Sequence, residues 1–561
     1  MKIEEKYLMW LNHPQMDDDL KEELQNMNEQ QKKDAFYIDA QFGTAGIRNI
    51  LGAGTNRLNV YTIRKATKGV AEVLKQKGGN LSVAIAYDNR YKSAEFAMQT
   101  AKILASYNIR VYLYDSLRTT PQLSFTVRYL HCTAGIMITA SHNTKEYNGY
   151  KIYDENGCQL VPIKVAPIIK AIADIEEDFV EEAVLNEQQQ KLITYISADV
   201  DKIYLDEVLT VQLNPDLSKD NFKIVYTSQH GTSYKPISTL FAKVGYDTVY
   251  VKEQCYPDPA FTNTIIPNPE DPRAYVLALE YARKNDADVV LTTDPDGDRL
   301  GLAVKQGNEY ILMTGNQTGA VLIDYVLSMH KEKGTLPKNA VLFNTIVTSD
   351  LGEAIAHDYG VDVEKTLTGF KYIGDKIEMH NQKKDKKFIF GYEESYGYLI
   401  KDFVRDKDAN QSCLLIAECA NYYKKKGLTL YDVLQKLYQK YGTYAESQKS
   451  IEFAGADGSI KMQNLLAKLR KEQPQNIAGC AVVKYQDFGT QKCYENGNVE
   501  DIVGFDKSDV LKYFLADGSW IAVRPSGTEP KCKFYYCIKG KDAKDVQTKQ
   551  QLYYKAVTEL I

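Results

Sequence analysis

Ala134-Gly135-Ile136-Met137-Ile138-Thr139-Ala140-Ser141-His142-Asn143 is an apolar run that empties into a loop of small and polar residues. The same device returns at Ala287 to Leu291, which leads to Asp294-Pro295-Asp296-Gly297-Asp298-Arg299, and at Phe388-Ile389-Phe390 before Gly391-Tyr392-Glu393-Glu394-Ser395. Each run reads as a buried β-strand bounded by turn-forming residues. In open α/β sheets ligands bind at the carboxyl ends of strands, so the three loops are candidates for one site.

Working outward, the texture from Phe42 onward alternates between β and α. Leu81 to Ala86 is a strand ending at Asp88-Asn89-Arg90, Phe96 to Ala105 is helical, and Val111 to Tyr114 is a strand again. The alternation restarts at Phe222 to Tyr226 and at Val341 to Phe343. Strands separated by 10–15-residue helical patterns imply βαβ units and mostly parallel sheets. Residues 1–40 form a helical lead-in, with Tyr7, Leu8, Leu11, Leu20 and Leu24 at helical spacing. The polar stretch Glu176 to Gln190 precedes the second unit, and changes of texture place boundaries near 200, 320 and 450. The expected domains are therefore 41–200, with the serine loop, and 201–320, with the aspartate loop. They are followed by 321–450, with the Glu-Glu-Ser loop, and by 451–561.

Composition sets limits on function. At 561 residues the chain exceeds one hydrophobic core, and ~150 residues per domain suggests three to four domains. It is 44% hydrophobic and 25% charged, as in ordinary globular proteins. A net charge of −5 argues against nucleic acid or an anionic membrane as partner. No apolar run approaches the ~18 residues of a membrane span, and the polar start at Met1-Lys2-Ile3-Glu4 is unlike a signal peptide. The nine cysteines are scattered without a C-x-x-C pair, and read as free thiols of a cytoplasmic protein. No obligate protein partner is evident.

The chemistry lies in the loops. Asp294, Asp296 and Asp298 offer hard oxygen ligands from one turn, an arrangement that is costly without a cation and that favours magnesium or calcium over zinc. The EF-hand pattern fails, because Arg299 and Lys305 stand where that loop needs Gly and Glu. Arg299 suits a phosphate ligand. Ser141-His142 alone is weak evidence for a serine hydrolase, since adjacent side chains are expected to point apart and no G-x-S-x-G elbow is present. Lys151 follows ten residues later, as a phosphate ligand or a proton carrier. Arg524-Pro525-Ser526-Gly527-Thr528 follows the strand-like Trp520 to Val523 and forms an anion cradle. Walker and dinucleotide loops are absent. Glu393, Glu394 and Ser395 suit vicinal sugar hydroxyls, with Thr368-Gly369-Phe370-Lys371 completing the wall.

In this order, from Phe42-Gly43-Thr44-Ala45-Gly46-Ile47-Arg48 to Thr528, the motifs resemble those of the α-D-phosphohexomutases, the phosphoglucomutase/phosphomannomutase family. The resemblance implies an α/β fold of three related mixed α/β domains plus a smaller C-terminal α+β domain around a central cleft. It implies a phosphotransferase acting on a sugar phosphate, with Ser141 carried as phosphoserine. Mg2+ would be held by Asp294, Asp296, Asp298 and an oxygen on Ser141. Arg48 and Lys151 would steady the phosphoryl group and assist proton transfer, beside His142. Glu393 and Ser395 would bind the sugar, and Arg524, Ser526, Gly527 and Thr528 the phosphate that is not transferred. Glucose 1,6-bisphosphate is the implied intermediate and activator. The loop at 391–397 lacks the Met and His of mannose-handling members and is closer to glucose-selective ones. The chain also resembles the long branch that includes phosphopentomutases, leaving ribose 1-phosphate as an alternative beside phosphomannomutase. Two readings of other classes are weighed: an aspartate-nucleophile phosphatase using Asp294, which leaves Ser141 and the cradle unused, and a non-catalytic sugar-phosphate sensor.

Overall fold

The computed structural model describes residues 2–14, 16–43, 46–453, 458–525 and 531–560. The expected site residues Ser526, Gly527 and Thr528, with Thr44 and Ala45, lie outside the described residues. The chain divides into two compact units, one of residues 1–313, 373–385 and 396–422, the other of 314–372, 386–395 and 423–561.

Three helices, Ile3–Leu11, Asp18–Gln25 and Glu29–Phe36, open the first unit. They are amphipathic and bury their apolar stripe: the Trp10 ring meets Phe36 at 5.8 Å and Tyr61 of helix Val60–Lys77 at 5.7 Å, both edge-on. The lead-in thus shares a hydrophobic cluster with the first sheet.

That sheet contains β1 (Ile47–Ile50), β2 (Ser82–Tyr87), β3 (Arg110–Tyr114), β4 (Ala134–Ile138), β5 (Tyr147–Asp154) and β6 (Ile193–Ile196) in the order β1-β5-β4-β2-β3-β6. Strands β4, β2, β3 and β6 are parallel, whereas β5 pairs antiparallel with both β4 and β1. Every residue of β4 is buried, as expected of a strand covered by helices on both faces. The stretch 176–190 is irregular apart from one turn of helix at Glu187–Gln190.

The second sheet contains β7 (Lys223–Thr227), β8 (Asp247–Tyr250), β9 (Val289–Thr293), β10 (Leu300–Gln306) and β11 (Glu309–Met313), ordered β11-β10-β9-β7-β8. Strand β9 starts two residues later than the apolar run suggests. Asp286 adopts a left-handed φ of 53° and Ala287 N still bonds back to Ala282 O at 3.1 Å, so Ala287 belongs to the end of the preceding helix. In both sheets the strand that delivers a functional loop, β4 or β9, sits where parallel pairing gives way to antiparallel.

In the second unit β12 (Ala340–Thr345), β13 (Asp362–Thr366) and β14 (Lys387–Glu393) are parallel, with β12 central; the short β15 (Gly397–Leu399) follows in the first unit. The C-terminal domain is an antiparallel sheet of β16 (Thr443–Glu452), β17 (Asn476–Ile477), β18 (Cys480–Asp487), β19 (Lys492–Glu495), β20 (Asn498–Asp501), β21 (Leu511–Leu515), β22 (Trp520–Pro525) and β23 (Lys531–Gly540). Helices Gly458–Glu472 and Ala543–Leu560 bury Leu466, Leu469, Val546 and Val557 in its hydrophobic cluster. Three α/β sheets followed by an α+β domain are the architecture expected from the sequence. Among the described residues, no helix is long and apolar enough to cross a membrane.

Candidate active site

Ser141 stands one turn beyond β4 in the left-handed region, with φ 52°. A non-glycine residue held there signals a constrained loop, and the constraint is visible. Ser141 N donates to Thr139 Oγ1 at 2.8 Å. Arg90, 3% exposed, donates to the carbonyls of Ser141 (2.5 Å), Asn143 (2.6 Å), Thr144 (2.8 Å) and Tyr147 (3.1 Å). Asp88 balances its charge through an ion pair of 3.2 Å. The planar five-donor guanidinium is the side chain suited to gathering several carbonyls at once.

The expectation that Ser141 and His142 point apart is corrected. The left-handed turn brings Ser141 Oγ to 3.3 Å from His142 Nδ1. Burial, together with the nearby charges of Arg299 and Arg48, holds the imidazole well below the ordinary histidine pKa, so it is neutral at pH 7. Arg48 sits on β1, in register with Gly149 of β5, and donates to Asn143 Oδ1 at 3.1 Å. Lys151 on β5 is in register with Met137 of β4, four residues before Ser141.

Ser141 Oγ donates to Asp294 Oδ2 at 2.8 Å, so the serine and the acidic loop come together as their strand-end positions suggest. The acidic loop is a tight turn. Gly297, at φ 69°, also lies where a Cβ would strike Thr119. Asp294 Oδ1 accepts from the main-chain N–H groups of Asp298 (3.1 Å) and Arg299 (3.0 Å). Asp296 Oδ2 accepts from Thr120 Oγ1 at 2.8 Å and from Lys151 Nζ at 2.9 Å. Burial and the two neighbouring carboxylates raise the Asp294 pKa well above the carboxylate range. Burial opposes ionisation of Asp296 as well, but there Lys151 prevails and keeps the carboxylate charged.

All three carboxylates are buried, and one oxygen from each lies within 4.8 Å of the others. Asp296 Oδ1 and Asp298 Oδ1 accept no hydrogen bond among the described residues, although Arg299 Nε stands 3.9 Å from the latter. Unpaired buried anionic oxygens are expensive, and a hard divalent cation at their centre satisfies them. The residues therefore fit a magnesium-type site. Arg299, expected as a phosphate ligand, forms an ion pair with Glu270.

Within the second unit, Glu393 is 4% exposed and its Oε1 accepts from Gly369 N at 2.8 Å, joining the two stretches expected to form a sugar wall. Glu394 instead braces the neighbouring loop, its Oε2 accepting from Thr345 Oγ1 (3.1 Å) and Thr348 Oγ1 (3.2 Å). Thr368 Oγ1 is buried without a partner among the described residues. Ser395 lies in the half-buried turn after β14. Arg524 is the next-to-last residue of β22, close enough to Lys371 that, after burial, it is the next cause lowering that lysine's pKa to about 8.

Fold and site define a multi-domain α/β protein with a serine hydroxyl held against three buried aspartates that could bind a metal ion. Four family profiles match it in order. Phosphoglucomutase/phosphomannomutase α/β/α domains I, II and III match residues 39–179, 202–307 and 314–441, and the C-terminal domain matches 467–548. A phosphoglucomutase of Staphylococcus haemolyticus is 39% identical over 516 residues, covering 90% of this chain and 92% of the relative. One of Staphylococcus aureus is 36% identical over 522 residues, covering 92% and 93%. In fold, the chain is similar to the open form of pp63/parafusin, a phosphoglucomutase from Paramecium (TM-score 0.69, 17% identity, covering 93% and 95%). It is similarly close to a phosphoglucomutase/phosphomannomutase family protein from Burkholderia thailandensis (TM-score 0.68, 18% identity, covering 93% and 97%). The chain belongs to the phosphoglucomutase/phosphomannomutase family, enzymes that isomerise by phosphoryl transfer.

Three residues of the site escape sequence reasoning. Arg90 was visible only at the end of a strand motif, and no motif singled out Thr120 or Lys407, whose Nζ lies 3.0 Å from Asp298 Oδ2. Their roles depend on partners far away in the chain.

Proposed function

We propose that this chain is a phosphoglucomutase, interconverting glucose 1-phosphate and glucose 6-phosphate through phosphorylated Ser141 and a glucose 1,6-bisphosphate intermediate. The observation that carries the reading is the Ser141 hydroxyl 2.8 Å from a buried aspartate triad, two of whose oxygens accept no hydrogen bond among the described residues. Relatives named phosphoglucomutase at 36–39% identity favour glucose.

In each half-reaction one P–O bond replaces another. A sugar hydroxyl oxygen bonds to phosphorus as the bond to Ser141 Oγ breaks; the sugar hydroxyl loses its proton and Oγ gains one. The bisphosphate then presents its other phosphoryl group, and Ser141 Oγ recovers a phosphoryl by the reverse exchange. Asp294, Asp296 and Asp298 would hold Mg2+, which would supply charge neutralisation for the transferring group. Arg48 and Lys151 add positive charge on the Ser141 side. Neutral His142, whose Nδ1 lies 3.3 Å from Oγ, takes the hydroxyl proton as Ser141 attacks. Thr368, Gly369, Glu393 and Ser395 bind sugar hydroxyls, while Arg524, Ser526, Gly527 and Thr528 hold the phosphate at rest. Glucose 1,6-bisphosphate also acts as activator, because it restores the phosphoryl group to an enzyme that has lost it.

We assign the serine loop to a domain of residues 41–200, the metal loop to 201–320, the sugar loop to 321–450 and the phosphate loop to 451–561. The 1–40 segment leads in, and the enzyme works in the cytoplasm.

Phosphorus NMR tests the proposal. Glucose 1-phosphate with the protein, Mg2+ and a trace of glucose 1,6-bisphosphate should yield glucose 6-phosphate without inorganic phosphate. Inorganic phosphate would instead indicate an aspartate phosphatase. An unchanged spectrum, with turnover of ribose 1-phosphate, would replace glucose by a pentose.

A further inference from the structure

The C-terminal sheet buries apolar side chains on one face and carries charge on the other. On β21, Leu511, Tyr513 and Leu515 enter the hydrophobic cluster, so Lys512 and Phe514, alternating with them, share the opposite face. Against that face lies a cavity of about 440 Å3, walled on its far side by helix Asp350–Asp358 and Lys365 of β13. Its size falls in the ~300–1,000 Å3 range of small-molecule sites.

The charges around this cavity do not balance. Lys365 Nζ is held by both acids of the helix, at 2.9 Å from Asp350 Oδ1 and 2.7 Å from Glu353 Oε2. Lys539, over the Tyr444 ring at 5.3 Å, and Lys512 form no ion pair among the described residues. Three lysines therefore face two carboxylates, and both carboxylates are committed to one of them. Lys512 is the deepest, 1% exposed. Its Nζ donates to Ile346 O at 2.7 Å, and the Trp520 and Phe514 rings lie 3.9 and 4.8 Å away. Of the three N–H groups of an ammonium, one meets an oxygen.

Burial, and then Lys365, lowers the Lys512 pKa to about 7 against the attraction of Asp350 and Glu353. Burial pushes Cys537 and Tyr444 up, so both stay neutral beside it, and exposed His357 stands at the rim. An anion at Lys512 would favour the charged form. With a single cation in excess, a dianion would meet Asp350 and Glu353 uncompensated, so the charge that fits is one. Phe488 and Phe505, edge-on at 5.3 Å, join Phe514 in giving the rest of the cavity an aromatic wall.

We propose that this cavity binds a small aromatic monocarboxylate, whose carboxylate pairs with the Lys512 ammonium and whose ring packs on Phe488, Phe505 and Phe514. None of these residues belongs to the site assigned to phosphoryl transfer, so the two readings stand or fall separately. Above pH ~7 the entering acid recharges Lys512, and binding takes up a proton from solvent.

The test is calorimetric titration of 2-naphthoate into the full-length protein, in buffers of different ionisation enthalpy, with glucose 1,6-bisphosphate in excess. The wild type should bind one naphthoate, take up close to one proton near pH ~8, and bind about tenfold more tightly near pH ~6. Lys512→Met should bind at least ~10-fold more weakly, the usual scale for a lost charge-assisted contact, and take up no proton. Ala354→Trp, which fills the cavity from its helix wall without touching a charge, should abolish binding and melt close to wild type. It carries the test if Lys512→Met does not fold. No binding by the wild type, or unchanged binding in Lys512→Met or Ala354→Trp, would overturn the proposal. So would equal affinity for neutral 2-naphthalenemethanol, or displacement of naphthoate by glucose 1,6-bisphosphate, which would place it in the sugar-phosphate site.

Discussion

At the scale of residues, Ser141 combines a left-handed backbone, a neutral imidazole at 3.3 Å and a carboxylate at 2.8 Å. If it is the phosphoryl carrier, Ser141→Ala removes the only atom able to hold the group between half-reactions. Turnover should fall at least ~10⁴-fold, as for other covalent nucleophiles, with circular dichroism and melting unchanged; full activity would refute the role. Lys371 gives a pH signature. Burial and then Arg524 lower its pKa to about 8, so its ammonium is present below that pH and is lost as pH rises through it. If it grips the resting phosphate, kcat/KM should decline above pH ~8 by up to tenfold per unit. Lys371→Arg should hold a flat profile, because arginine stays charged. A flat profile in the wild type would remove Lys371 from the site.

At the scale of elements, strands carry the chemistry to its place. β4 and β9 deliver the serine and the aspartates, while antiparallel β5, paired with β4, returns Lys151 and Tyr153 to them. β21 shows the cost of burying a cation. Lys512 is 1% exposed, donates to Ile346 O at 2.7 Å and lies 3.9 Å over the Trp520 ring. Burial, then Lys365, brings its pKa down from 10.5 to about 7. Between those values the unfolded chain binds the extra proton, so stability should rise with pH over that window, by at most ~1.4 kcal/mol per unit. The carbonyl and the ring favour the ammonium and make the slope gentler. Calorimetric melts at pH 7 and pH 9 should show the C-terminal unit gaining stability in the wild type relative to Lys512→Met. Parallel behaviour of the two proteins would show that Lys512 keeps its ordinary pKa.

At the scale of the molecule, the aspartate loop at 294–298, with Ser141, Thr120 and Lys151, belongs to the first unit, whereas Glu393 and Arg524 belong to the second. Mg2+ should therefore stabilise one unit selectively. Saturation to 100 times Kd is worth about 2.7 kcal/mol to whatever binds it. Adding EDTA to the Mg2+-loaded protein should accelerate hydrogen exchange at 289–300 and 397–409 and leave 443–453 and 510–523 unaffected. Acceleration confined to the C-terminal sheet would place the metal elsewhere.

What the sequence determined by itself is local. The apolar runs specified the loop-bearing strands, three aspartates at alternate positions marked a candidate cation site, and the motif order specified the family, because each depends on neighbours a few residues apart. Ser141, Asp294, Asp296 and Asp298 were legible for that reason. Only the tertiary structure decided who balances their charge: Arg90 against the serine loop, Thr120 and Lys151 on Asp296, Lys407 on Asp298. It also decided that Ser141 and His142 meet, through a backbone twist that an expectation based on adjacent side chains missed. A strand or turn forms from contacts along the chain, whereas a buried charge must be met by whichever distant segment folding brings within about 3 Å, and no local periodicity records that partner.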